Sequence, residues 1–253
     1  MLCFNEVIYL KQGTKFLSLL SLLLACVLVC ASLFQSFDAA LAVNETDADG
    51  SEWPVIILDP GHGGEDGGAT GTNGALEKEL NLSLTQTLAA LLRGAGYTVV
   101  QTRNDDRLLY DPTEGSKHKK QRDLEGRLAF CEQYPNSIFI SIHMNTFPND
   151  SCRGTQVWYS QNHPASQDLA NALQSSVKTL LQPQNNRRVK AATSGIYILR
   201  HAKNPAVLVE CGFLSTPEEC ALLCDKEYQK SLALCLFAAI SEKISAGTCE
   251  SYG

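Results

Sequence analysis

The run IFISI, residues 138 to 142, is apolar on both faces of any strand it forms, so helices or a second layer must cover it on both sides. Comparable β-branched runs recur along the chain and alternate with helical patterns. VIIL (55–58) is followed by a leucine-periodic helix over 77–93, then YTVVQT (97–102), a helix over 119–132, SIFISIH (137–143) and TQVWYS (155–160). A helix over 164–181, the runs IYIL (196–199) and AVLVE (206–210), and a last helix over 226–243 complete the series. This pattern predicts an α/β fold, a single domain with a mainly parallel, twisted central sheet and helices on both faces.

The domain begins at Trp53 and runs to residue 246, with a tail over 247–253. Ahead of it, residues 43–52 read as a short acidic linker. Residues 16–34 carry no charge and follow Lys11 and Lys15, while Ala40 and Ala42 have the small-x-small spacing of a signal peptidase site. Residues 1–42 therefore read as an export segment, equally a cleaved signal peptide or a retained membrane anchor, and the domain is expected to work outside the cytoplasm. Any membrane contact would be through this segment. A net charge of -6, with no basic helix, argues against a nucleic-acid partner. Of the ten cysteines, seven lie beyond this segment, and Cys220, Cys224 and Cys235 sit among leucines, as small packing residues rather than a disulfide framework.

In a parallel α/β sheet the C-terminal ends of strands and the N-terminal ends of the following helices share one edge, where ligand sites form. Four polar residues fall on that edge. His62 follows VIIL in a glycine-rich loop, Glu77 heads the apolar stripe of Leu80, Leu84, Leu88 and Leu91, His143 ends SIFISIH, and Glu210 ends AVLVE. Singly each has a plain reading as a turn histidine, a helix-end acid, a core histidine or a strand-end acid. Together, two imidazoles and one carboxylate make the ligand set of hydrolytic zinc, leaving the other glutamate as acid and base. The glycines would give the ligand-bearing loop a permissive backbone and close approach. The same loop is no dinucleotide cradle, because position 66 is Asp where that pattern needs glycine. Cys211, next to Glu210, faces the other side of its strand.

At these residues the chain resembles the zinc-dependent N-acetylmuramoyl-L-alanine amidases of the amidase type 3 family. The resemblance rests on LDPGHGG (58–64), the glutamate of ALEKELNL, SIHMN (141–145) and SGIYILRHAKNPAVLVECGFLS (194–215), and spans about Val55 to Ile240. It implies that His62, Glu77 and His143 bind one Zn2+ per chain, that Glu210 is the catalytic acid, and that the substrate is peptidoglycan, cut between the lactyl group of muramic acid and L-alanine. The segment DPTEGSKHKKQRDLEGRLAF (111–130), without wall-binding repeats, is similar to the small spore-cortex and germination members, which act in making muramic-δ-lactam. Asn145, Arg127, Arg188 and Arg200 are candidates to hold the substrate, with Arg122 and Lys190 as further basic residues. A zinc peptidase of the stem peptide and a wall-binding module without turnover are the competing readings. Whether an activating protein partner is needed is not legible in the sequence.

Overall fold

The computed structural model describes residues 53–110, 118–148 and 151–246, which fall within one compact unit. The export segment, the linker, the tail and part of the 111–130 segment lie outside the described residues. Among the described residues six strands form one sheet in the order β2-β1-β3-β6-β4-β5: β1 (Val55–Pro60), β2 (Val99–Gln101), β3 (Ser137–Asn145), β4 (Gln156–Tyr159), β5 (Lys190–Ala191) and β6 (Ala206–Phe213). The pairs β1–β2, β1–β3 and β3–β6 are parallel, while β4 runs antiparallel to β6 and carries β5 parallel to itself at the edge. The helices are α1 (Glu77–Gly94), α2 (Lys119–Glu132), α3 (Ala165–Leu180), α4 (Tyr197–His201), α5 (Pro217–Cys224) and α6 (Lys226–Ser245). No described helix is long and apolar enough to cross a membrane.

Strand alternation sorts the side chains into two cores. Ile56, Leu58, Ile138, Ile140, Ile142, Val207, Val209 and Cys211 point to the face covered by α1, α3 and α6, where Leu84, Leu88, Leu173 and Leu236 meet them. Ile57, Phe139 and Leu208 point to the other face, against Cys131, Ile198 and Leu199 of α2 and α4. Followed toward the strand ends, this second face continues as Asp59, then Ser141 and His143, then Glu210. The smaller core thus runs directly into a row of polar side chains.

One predicted element has the wrong form. IYIL was expected as a strand, but Tyr197–His201 is a short helix, α4. Four apolar residues fit a strand or a helical turn equally well by pattern, and here Ile198 and Leu199 are buried by lying across the sheet rather than pairing in it. The edge strand β5 and the helix α5, neither of them expected, are both short.

Candidate active site

Pro60 ends β1 and the chain enters the glycine loop, where His62 takes a left-handed backbone conformation, φ 61°. A non-glycine residue there is strained and must be held by its surroundings. Two buried arginines hold it. Arg127 of α2 donates to the carbonyls of Pro60 and His62 at 2.9 and 2.7 Å, and Arg103 donates to those of Pro60 and Gly61, both at 2.9 Å. Arg127 also pairs with Asp59 and, at 2.8 Å, with Asp123. Burial pushes the Asp59 carboxyl up, but Arg127, Ser141 and Thr102 outweigh this and hold it below the ordinary range.

The loop glycines explain the bareness around His62. A Cβ on Gly61 would lie 2.1 Å from Cε1 of His143, and one on Gly68, at φ +67°, would lie 2.6 Å from the Glu77 carboxylate and 2.8 Å from the His62 ring. Only glycine lets this backbone touch the three polar side chains.

Glu77 opens α1 on the far face of the sheet and reaches around the strand ends. Its Oε1 lies 3.2 Å from Nε2 of His62 and 3.0 Å from Nδ1 of His143, and accepts the Met144 amide at 3.1 Å. Its Oε2 accepts the Ala69 amide at 2.8 Å. Burial alone would raise the Glu77 carboxyl, but the two histidines overcome it and hold the group well below the ordinary carboxylate range. The His62 ring is lowered by burial and raised more strongly by Asp66 and Glu77, reaching about 9. One donor atom from each of His62, Glu77 and His143 falls within 4.8 Å of the others. Two imidazoles and a buried anionic carboxylate at this spacing fit a tetrahedral divalent zinc with one position left open.

Glu210 completes the row. It pairs with His143 across β3 and β6, beside a register shift between His143 and Asn145, the kind of local bulge that re-aims side chains next to a site. Its Oε2 is buried with no hydrogen-bond partner among the described residues, and burial raises its carboxyl above the ordinary value, with His143 pulling the other way. A buried carboxylate left unsatisfied is costly, and here it borders a cleft of about 200 Å³ shared with His62 and His143.

The structure therefore brings together His62, Glu77, His143 and Glu210. It treats the four candidate substrate contacts differently. Arg127 lines the cleft, but at 2% exposure its donors go to Asp59, Asp123 and the loop carbonyls, so it shapes the loop instead of reaching outward. Asn145, Arg188 and Arg200 do not line the cleft. The Asn145 side chain accepts the Thr146 amide, Arg188 borders a separate hollow beside Asn171 and Lys178, and Arg200 sits exposed on α4. Sequence reasoning missed Asp66, whose carboxylate meets Nδ1 of His62 at 2.8 Å. The available signal was its position four residues after His62, at the place where the nucleotide pattern fails. Arg103, Asp59 and Lys120 gave no such signal.

Comparison with known proteins gives one answer. The family model for N-acetylmuramoyl-L-alanine amidase matches residues 56–242. The germination-specific N-acetylmuramoyl-L-alanine amidase of Bacillus subtilis is 33% identical over 187 residues, 74% of this chain and 78% of the relative. Among solved structures, the CwlD amidase of Clostridioides difficile, determined in complex with the GerS lipoprotein, superposes with a TM-score of 0.73 at 35% identity, over 76% of this chain and 99% of that one. The amidase AmiC2 of Nostoc punctiforme gives 0.66 at 28% identity, over 78% and 99% of the two chains. With the glycine loop, the strand ends and the polar row all inside the matched span, the chain belongs to the N-acetylmuramoyl-L-alanine amidase family, enzymes that act on peptidoglycan.

Proposed function

We propose that this chain is a zinc-dependent amidase that cuts between the lactyl group of N-acetylmuramic acid and L-alanine, with His62, Glu77 and His143 as metal ligands and Glu210 as the acid and base. The observation that carries the reading is the unpartnered, buried Oε2 of Glu210 beside the three-donor cluster. Zinc held by those donors would supply Lewis acidity, polarising the scissile carbonyl and acidifying the attacking water. Glu210 takes the proton from that water and passes it to the departing amine of L-alanine, a task that suits a carboxyl raised by burial. Asp66 fixes the His62 ring with Nε2 toward Glu77, where the metal would be held. Arg127 and Arg103 keep the strained loop in place, and Ser141 supports Asp59 beneath it.

Similarity to the germination-specific relative supports a role in the spore cortex, where stem removal precedes formation of muramic-δ-lactam. The complex of the CwlD relative with a lipoprotein supports an accessory protein for this chain as well. The uncharged run at 16–34 supports export to the wall or cortex side of the membrane. The test is a digest of purified peptidoglycan read by mass spectrometry, alongside the metal content of the same preparation. Free L-alanine amino termini paired with lactyl ends, at about one zinc per chain, are expected. Cuts within the stem would mark a peptidase, and binding without cuts a wall-binding module.

A further inference from the structure

The cleft holding Glu210 has two unlike walls. On one side the turn from Gly195 to Ile198 offers Ile196 and Tyr197, both uncharged, with the Tyr197 ring packed at a tilt against His201, centroids 4.2 Å apart. On the other side α2 contributes Lys120, Asp123, Leu124 and Arg127. Most of the charges here are already matched. Arg127 pairs with Asp59 and Asp123, Asp66 meets His62, and the neighbouring Lys119 pairs with Glu65 at 2.7 Å, outside the cleft lining. Lys120 is different. It is exposed, lines the cleft, and among the described residues has no hydrogen-bond or ion-pair partner, though its charge reaches Asp66.

The carboxylates of Asp59 and Asp123 are matched by Arg127 and that of Asp66 by His62, so among the described side chains lining the cleft Lys120 is the cation left to attract the carboxylate of an incoming substrate. We propose that Lys120 is a specificity residue, holding the free carboxylate of the stem-peptide residue that follows L-alanine. This rests on the amidase reading above, since it places the peptide along the α2 wall and leaves the muramic acid to the Tyr197 side. A lysine suits the task as a mobile point charge, whose worth at an exposed site is modest.

The test compares two substrates of the zinc-loaded protein, N-acetylmuramoyl-L-alanyl-D-glutamate with its α-carboxylate free and the same compound with that group as a carboxamide. The unaltered protein should favour the free acid in kcat/KM by about twofold to fivefold, the scale of a solvent-accessible charge pair. Lys120→Gln should bring the ratio close to one and Lys120→Arg should keep it. If Lys120→Gln slows both substrates equally, or leaves the ratio unchanged, Lys120 does not read the carboxylate and the proposal falls while the amidase reading stands. If the unaltered protein cuts purified peptidoglycan but neither compound, the stem carboxylate is not what the site reads and the Lys120 proposal alone falls; if it cuts none of the three, the amidase reading falls and takes this proposal with it.

Discussion

The Asp66 carboxylate lies 2.8 Å from Nδ1 of His62, while Nε2 of the same ring faces Glu77 at 3.2 Å. In the proposed site the two ring nitrogens would have different tasks, one to orient and one to bind. Such a carboxylate fixes the tautomer of a ligand histidine and is commonly worth 10- to 100-fold in metal affinity. Asp66→Asn is therefore expected to weaken zinc binding by about that factor and to keep the cooperative melting transition. Competition with a chromophoric chelator measures it, and unchanged affinity would show that the contact only packs the loop.

In the proposed site, zinc would have to displace a proton from this ring. In the metal-free protein the His62 pKa stands at about 9, raised above the ordinary 6.5 by Asp66 and Glu77 against the opposing pull of burial. A raised histidine adds stability that is complete below 6.5 and is lost as the pH climbs through about 9. Metal binding has the opposite sign, because only neutral imidazole is a ligand. Zinc affinity should rise between pH 6.5 and about 9, while the metal-free protein loses stability over the same interval. Zinc titrations and urea melts across that range test both halves, and an affinity that falls with pH would contradict the assignment of His62.

Glu210 separates catalysis from metal binding. It shares the cleft with two proposed ligands, yet its Oε2 is unpartnered and its carboxyl is raised by burial. Glu210→Gln keeps the shape and removes the titrating group. Turnover on peptidoglycan should drop by about 10² or more, the usual worth of a positioned acid or base, with the zinc content intact. Loss of zinc would make Glu210 a ligand, and near-normal turnover would leave the mechanism without its base.

These residues show what the sequence could and could not reveal. His62, Glu77, His143 and Glu210 were legible because strand ends and a helix start share one edge of a parallel sheet, so periodicity alone placed them together. The layer beneath them was not legible. Asp59, Arg103 and Arg127 lie on three separate elements or loops, and their meeting depends on how α2 packs on the sheet. By the same limit Arg127 was expected to reach for substrate, since a buried and an exposed arginine look identical in sequence. IYIL was misread for a related reason: four apolar residues carry too little periodicity to choose between a strand and the turn that became α4.

Arg127 should behave as a structural residue. It is 2% exposed and neutralises two buried carboxylates, Asp59 and Asp123, while supporting the His62 carbonyl. Removing one member of a buried ion-pair cluster leaves uncompensated charge and costs about 3–5 kcal/mol. Arg127→Ala should lower the unfolding free energy by that amount in urea. A loss of peptidoglycan affinity with stability unchanged would return Arg127 to the substrate site.

The closest contact in the loop gives the sharpest test of why glycine stands there. The φ of Gly61 lies outside the left-handed region, so alanine could adopt its backbone, but the new Cβ would fall 2.1 Å from Cε1 and 2.2 Å from Nε2 of His143. The backbone cannot retreat easily, because the Gly61 amide donates to the Ile142 carbonyl at 3.0 Å and its own carbonyl is held by Arg103 at 2.9 Å. The ring must therefore give way, and an ångström of misplacement at a reacting centre costs about 10²-fold. Gly61→Ala should weaken zinc binding and cut turnover on that scale with the fold retained. Gly94→Ala is the matching comparison, since a Cβ there meets nothing within 4 Å, and at this helix end it should stabilise by about 0.4–1 kcal/mol. If both variants bind zinc like the unaltered protein, His143 has more room than the structure gives it and its place among the ligands fails.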